Sequence, residues 1–280
     1  MEEKTRCLVN GQIDRTTQIL PSAIQSTILA RLDRLAPENQ LMLKIAAVIG
    51  QAFPYEALRD TLRDSLEITE TDLKTHLDDL TYLGYLRQET SASVVTFVFK
   101  HIIIREVIYQ SLLFDRRRQL HRTVARWYEE KYTPGGKNRL KPVPTNSHLT
   151  VTRTLPPAHT PLAPYFSLLV YHWHQAGDED REQIYAALLG EQATREFANA
   201  EALGYLSRAL DLTPENDLRG RYNLLLAREM IYSRRGDRER QAIDLKSLAN
   251  LVEQAQNLSW TANVYFRFAS YAEITGNYDD

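Results

Sequence analysis

The chain lacks features that several large protein classes need. Its 280 residues include one cysteine, Cys7, so neither an internal disulfide nor a cysteine-based metal cluster can form, which favours a reducing cytoplasm. No segment approaches the roughly 20 apolar residues of a membrane span, and the first residues lead into no apolar stretch typical of a secretory signal. We therefore expect a cytoplasmic protein with no membrane partner.

The chain also lacks an excess of charge of one sign. Its formal net charge of −2 gives no overall attraction to nucleic acid or to an anionic membrane, so such binding would need a local patch. With 43% hydrophobic residues and only 11 glycines, the composition is that of a globular chain, long enough for one large domain or two ordinary ones.

The common catalytic motifs are missing as well. The only Gly-Gly-Lys run, at residues 135–137, is followed by Asn138, so it is not a phosphate-binding loop, and neither a Gly-x-Ser-x-Gly elbow nor a His-Glu-x-x-His helix is present. His172 and His174 are two residues apart and would point to different sides of a helix, which favours packing and surface roles over metal binding. We predict no catalytic residue, no metal site and no cofactor in this chain.

Residues 21–132 have a helical pattern that one hairpin interrupts. Successive helices are predicted from Pro21, from Pro37 to Gly50, from about Pro54 to Leu62 and from Thr69 to near Gly84. The period then changes to two in residues 85–89 and 94–99, which flank a turn. Two more helices follow, roughly His101–Phe114 and Arg116–Tyr132. Three helices followed by a two-stranded wing predict a winged-helix-like domain with one small β-hairpin.

Many winged helices bind DNA through their third helix, but that helix has the wrong charge here. Residues 66–83 contain five acidic residues and one lysine, a net charge of −4, and the wing residues 88–94 contain no Lys or Arg. Phosphate contacts supply much of the affinity for DNA. We therefore expect no nucleic-acid partner for this domain.

Residues 133–163 differ in composition from the rest. They hold six of the 11 prolines and four basic residues, with no acidic residue. Such a segment buries too little apolar surface to offset its ordering entropy, which predicts a disordered insertion or linker.

Residues 164–280 have a helical pattern with turns at 177–178, 214–216, 236–237 and 276–277. The last two turns are 40 residues apart, which is typical of helical-hairpin repeats. One repeat matches the tetratricopeptide (TPR) template, in which small residues allow close helix packing and a proline ends the unit. Its packing residues are Leu189, Gly190, Ala202, Ala209 and Pro214. The fold class predicted for the whole chain is therefore mostly α, a winged-helix-like domain followed by a TPR-like α-solenoid.

Two further features are candidates for function. The basic run Arg116, Arg117, Arg118, Arg122 and Arg126 is either a solvated helix face or a surface that docks on an acidic partner or a neighbouring domain. His101 follows the second wing strand and opens a helix, where free backbone N–H groups and the helix dipole favour an anion. The alternative for His101 is a structural cap or core-edge histidine.

Several stretches resemble one family, the STAND-class signal-transduction ATPases. Residues 20–35 and 46–50 are similar to the region just after the ATPase core. Residues 97–101, 105–107, 111–113 and 117–122, with Tyr109, resemble the family's winged-helix signature, and residues 198–203 resemble the start of its TPR array. The resemblance covers nearly the whole chain except residues 133–163. The closest look-alikes are bacterial proteins that join this ATPase to an adenylate/guanylate cyclase, a Ser/Thr kinase or a DNA-binding domain.

This resemblance implies a regulatory, non-catalytic fragment. Residues 1–20 would be a remnant of the preceding segment, and ATP or ADP with Mg²⁺ is expected only with an ATPase core that this chain lacks. The winged helix would clamp that core, with His101 contacting the β-phosphate of bound ADP, and the repeats would bind a protein partner or effector. The alternatives are a fragment of an ATP-dependent transcriptional regulator with a separate DNA-binding domain, or part of a nucleotide cyclase chain.

Overall fold

The computed structural model describes residues 21–63, 68–91, 94–133 and 160–276, and the predicted remnant 1–20 lies outside them. These residues form 12 α-helices, one short 3-10 helix and three strands, so the prediction of a mostly helical chain with a small β-element is confirmed. They divide into two compact units. The first unit contains the described residues up to 133 together with 160–178, and the second contains residues 179–276.

The first unit has seven α-helices, and α2 lies at its centre. Met42, Ile45 and Val48 of α2 are fully buried. Pro37 occupies the start of α2 and Gly50 caps its end, as the sequence predicts. The helices are α1 (Ser22–Asp33), α2 (Pro37–Ile49), α3 (Tyr55–Arg63), α4 (Glu70–Tyr82), α5 (Ile102–Gln110), α6 (Phe114–Tyr132) and α7 (Phe166–Ala176).

The sheet of this unit has three strands rather than the two of the predicted hairpin. β2 (Leu86–Ser91) and β3 (Val94–Phe99) form the hairpin, and β1 (Ala52–Pro54) pairs antiparallel with the other side of β3. The sequence did not indicate β1 because three residues ending in proline show no alternation. The strand forms because Phe53 is buried against Phe97 and Phe99, with ring centroids 6.1 and 6.0 Å away.

Helix α7 belongs to the first unit, although the sequence assigned residues from 164 onward to the repeats. Trp173 of α7 is fully buried and donates a hydrogen bond to Glu129 Oε1 of α6 at 3.0 Å. The boundary between the units therefore falls after Asp178. Of the predicted linker 133–163, residues 134–159 lie outside the described residues. The rings of Tyr132 and Tyr165, on either side of that stretch, stack with centroids 4.2 Å apart.

The second unit is a stack of five helices in which each helix packs on the next along the chain. They are α8 (Glu179–Arg195), α9 (Asn199–Leu212), α10 (Leu218–Arg235), α11 (Arg238–Ala255) and α12 (Leu258–Thr275). Asp217, Asp237 and Asn257 cap the N-termini of α10, α11 and α12, each accepting a hydrogen bond from a backbone N–H three residues ahead. This 20-residue spacing matches the 40-residue helical-hairpin period expected from the sequence.

Candidate functional site at the hairpin-to-helix junction

His101 lies between β3 and α5, at the N-cap position of that helix. Its backbone is extended, with φ −136° and ψ 129°, and its side chain makes no capping hydrogen bond. Its carbonyl accepts from the N–H groups of Ile104 and Arg105, which closes the first turn. The imidazole is exposed at the positive end of the helix dipole, where an anion would be stabilised.

The junction also brings together exposed apolar side chains from two helices. Tyr82 and Leu83, at the end of α4, are 92% and 43% exposed, and Ile102 and Ile103, at the start of α5, are 63% and 41% exposed. These four residues, with Lys100 and His101, define the junction surface. Clustered exposed apolar groups of this kind are typical of protein interaction sites.

Backbone hydrogen bonds fix the two halves of the junction surface. The Lys100 N–H donates to the Tyr85 carbonyl at 3.0 Å, which holds the end of β3 beside the end of α4. On the other side of β3, the Gln51 side chain donates from Nε2 to the Phe99 carbonyl at 2.7 Å, and the Phe99 N–H donates to the Gln51 carbonyl at 2.9 Å. The surface is therefore presented by a hydrogen-bonded framework.

Helix α5 connects this surface to the core of the unit. Arg105 donates from Nε to the Ala47 carbonyl of α2 at 3.0 Å. Tyr109, two turns from the junction, lies between the guanidinium groups of Arg105 and Arg117, which are 5.5 and 5.0 Å from its ring centroid. Burial, together with the neighbouring Tyr171, raises the pKa of Tyr109 to about 12.

The predicted basic face is largely engaged within its own unit. Arg117 donates to the Leu112 carbonyl at 3.2 Å, whereas Arg118 and Arg122 both donate to the Ala176 carbonyl, at 3.2 and 3.5 Å. Cations stabilise the carbonyl end of a helix, so these two arginines cap α7.

The other two members of the basic face lie differently. Arg116 bonds the Gln119 side chain at 2.9 Å, and Arg126 is exposed. The sequence offered a solvated face or a docking face, and the capping role was missed because Ala176 is 54 or more residues away along the chain.

The predicted repeat-packing residues lie at or beside the contact between α8 and α9. Ala202 and Ala209 are fully buried, Gly190 is buried and Leu189 is half-buried. Pro214 is exposed and follows Thr213, the C-cap of α9. A Cβ on Gly190 would lie 2.8 Å from two Leu206 side-chain carbons and 3.2 Å from the Leu206 backbone nitrogen.

Gly190→Ala should therefore destabilise the second unit by about 1–3 kcal/mol, because the added methyl forces α8 and α9 apart. Gly204→Ala is the matched control. Gly204 lies in α9, where an added Cβ would meet no atom within 4 Å, so alanine there should stabilise by about 0.5–1 kcal/mol. Urea unfolding of both variants measures the difference. Equal effects would mean that the α8–α9 approach is not tight.

Ion pairs that no sequence pattern indicated join the helices of the second unit. Glu182 and Asp244 are 3% and 1% exposed and bind Arg208 and Arg228 of neighbouring helices. Each carboxylate pairs with a residue at least 16 positions away, a distance at which no local spacing rule applies. These pairs could be found only once the order of helix packing was known.

A third buried carboxylate, Glu229 of α10, lies at the floor of a groove between α10, α11 and α12. It accepts from Gln241 Nε2 at 2.7 Å and pairs with the Arg267 guanidinium. The groove has a volume of about 250 Å³, and Asn263 and Tyr271 are among its lining residues. It is mostly polar and is a second surface at which a partner could bind.

The two histidines considered for metal binding lie on different faces of α7. His172 is fully buried and His174 is exposed. Over the four described ranges, no three His, Cys, Asp or Glu side chains come together as metal ligands would. Nor does any helix in those ranges combine the length and apolar character needed to cross a membrane.

Comparison with known proteins finds no family model, no curated protein and no solved structure that matches the chain. The functional interpretation therefore rests on the junction surface and on the groove of the second unit.

Proposed function

We propose that the chain is a non-catalytic regulatory and protein-interaction module of a STAND-type signalling ATPase. The first unit, as a winged-helix-like domain, docks on the nucleotide-binding core. The second unit, as a TPR-like array, binds a protein partner or effector. ATP or ADP with Mg²⁺ is held by that core and not by this chain.

The junction surface is the observation that carries this proposal. Its apolar side chains, Ile102 and Ile103 among them, suit a protein partner, and its basic groups, Lys100 and His101, suit an anion. The N-terminus of α5 adds the positive end of a helix dipole at the same place. A protein that presents a nucleotide phosphate satisfies both halves of this surface.

A DNA-binding role for the first unit is less well supported. Asp72, Asp78 and Asp79 are exposed on α4, where they would repel phosphates. The alternative of a transcriptional regulator therefore keeps the same docking role for this unit and assigns DNA binding to a separate domain.

Ile102→Asp should weaken binding of this chain to the ADP-loaded nucleotide-binding core at least about tenfold, or 1.4 kcal/mol. A carboxylate there would be desolvated without a partner and would repel the phosphate. Because Ile102 is exposed, the fold should be unaffected. Isothermal titration calorimetry with the purified core measures the affinity.

The matched control is Ile243→Asp, which places the same charge on an isoleucine of α11 that is 58% exposed. This variant should bind the core as the unchanged chain does. Docking through the junction surface is contradicted if Ile102→Asp also binds with unchanged affinity.

A further inference from the structure

Helices α5, α6 and α7 meet at two fully buried histidines. His121 of α6 and His172 of α7 are both 0% exposed, and their Nδ1 atoms are 2.7 Å apart. The other ring nitrogen of His121 lies 2.9 Å from the hydroxyl of Tyr109 on α5. The Tyr109 hydroxyl in turn donates to Gln175 Oε1 of α7 at 3.4 Å.

These distances fix where the protons lie. One proton occupies the His121–His172 contact, so one ring donates and the other accepts. With the Tyr109 proton on Gln175, His121 donates from Nε2 to the tyrosine oxygen and accepts from His172 at Nδ1. His172 Nε2 is then a bare acceptor, and it is buried with no hydrogen-bond partner. The chain of hydrogen bonds is complete only when both rings are neutral.

The surroundings also disfavour a positive charge on this pair. The charged groups acting on it are cations, Arg105 from α5 and Arg117 from α6, and its titratable neighbours are Tyr109 and Tyr171. Burial and these two arginines lower the pKa of His121 to about 3. Burial, then His121 and Arg105, lower the pKa of His172 well below its usual value.

We propose that the His121–His172 pair is a proton-operated latch that holds α7 on α6 while both imidazoles are neutral and releases α7 when they take up protons. Released rings titrate near pH 6.5, their usual value. Docking of α7 is therefore fully favoured above about pH 6.5 and weakens as the pH falls toward 3. With two rings, the equilibrium constant for release rises up to about 100-fold for each pH unit below about 6.

Trp173 offers a direct readout of α7, because it is fully buried and follows His172. Trp127→Phe with Trp260→Phe leaves Trp173 as the only indole of the chain. Acidification of this variant should shift Trp173 emission to longer wavelength between pH 6.5 and 4, before the 222-nm ellipticity of the other helices is lost. Replacing both histidines, His121→Gln with His172→Gln, should flatten this pH dependence.

His174→Gln is the matched control, because His174 is on the same helix but is exposed. This variant should keep the midpoint of the parent. Hydrogen exchange in the unmodified chain covers the case in which the double variant does not fold. The α7 amides, corrected for intrinsic rates, should then show an opening constant that rises by about 100-fold per pH unit, while α2 amides do not.

Two results would overturn the latch. One is Trp173 emission that stays at short wavelength until all helical signal is lost. The other is an α7 opening constant that does not change between pH 7.5 and 5.5.

Discussion

Asp244→Ala is expected to destabilise the second unit by about 3–5 kcal/mol, the cost of removing one partner from a buried ion pair. Asp244 is 1% exposed and binds Arg228 through two contacts, Oδ2 to Nε at 2.8 Å and Oδ1 to Nη2 at 2.5 Å. Without the carboxylate, the Arg228 guanidinium would keep its 3.1 Å bond to Ser207 but no opposite charge. Arg228 contacts both α9 and α11, so their packing on α10 should weaken together.

Urea unfolding followed by circular dichroism measures this effect, and hydrogen exchange of α9, α10 and α11 assigns it to the second unit. The control is Arg240→Ala, which removes an exposed partner of Asp237 and should cost less than about 1 kcal/mol. Arg228→Met combined with Asp244→Leu should recover most of the loss, because apolar residues of similar volume can replace a buried pair. If Asp244→Ala costs no more than Arg240→Ala, this pair does not hold the helices together.

Local sequence signals predicted most element boundaries. Pro37 and Gly50 bound α2, and Thr69 caps α4 by accepting from the Asp72 N–H at 3.2 Å. Such signals act within one turn of the chain, so they are visible without knowledge of tertiary packing. The caps Asp217, Asp237 and Asn257 are equally local, and their 20-residue spacing could have placed the last three helices from the sequence.

The assignment of α7 could not be predicted in this way. A turn at Gly177 and a proline-rich stretch before Phe166 made α7 look like the first helix of the repeats. Its partner is α6, which ends more than 30 residues earlier. The contacts between His121 and His172 and between Arg118 and Ala176 cross this separation, and no periodicity within either helix indicates them.

The candidate site was predicted in part. The position of His101 between a strand and a helix follows from local pattern alone. The apolar half of the junction surface does not, because Tyr82 and Leu83 reach it only through the pairing of β2 with β3. The same pairing explains why the surface faces outward while Phe97 and Phe99 are buried.

His101→Ala in the complete ATPase should speed ADP release about 10- to 100-fold, because a hydrogen bond to a charged phosphate contributes roughly 1.5–3 kcal/mol. The imidazole is exposed and makes no capping bond, so the fold should not depend on it. In this chain alone, the same substitution should therefore leave the unfolding midpoint unchanged. His174→Gln, at another exposed histidine, is the control and should leave ADP release unchanged.

The release rate of fluorescently labelled ADP from the complete ATPase, with His101 or with Ala at that position, is the most direct test of docking through the junction surface. A rate at least tenfold faster in the variant, with both proteins equally stable, is the expected result. Equal release rates in two equally stable proteins would contradict the proposed role of His101 and leave it as an exposed N-cap residue.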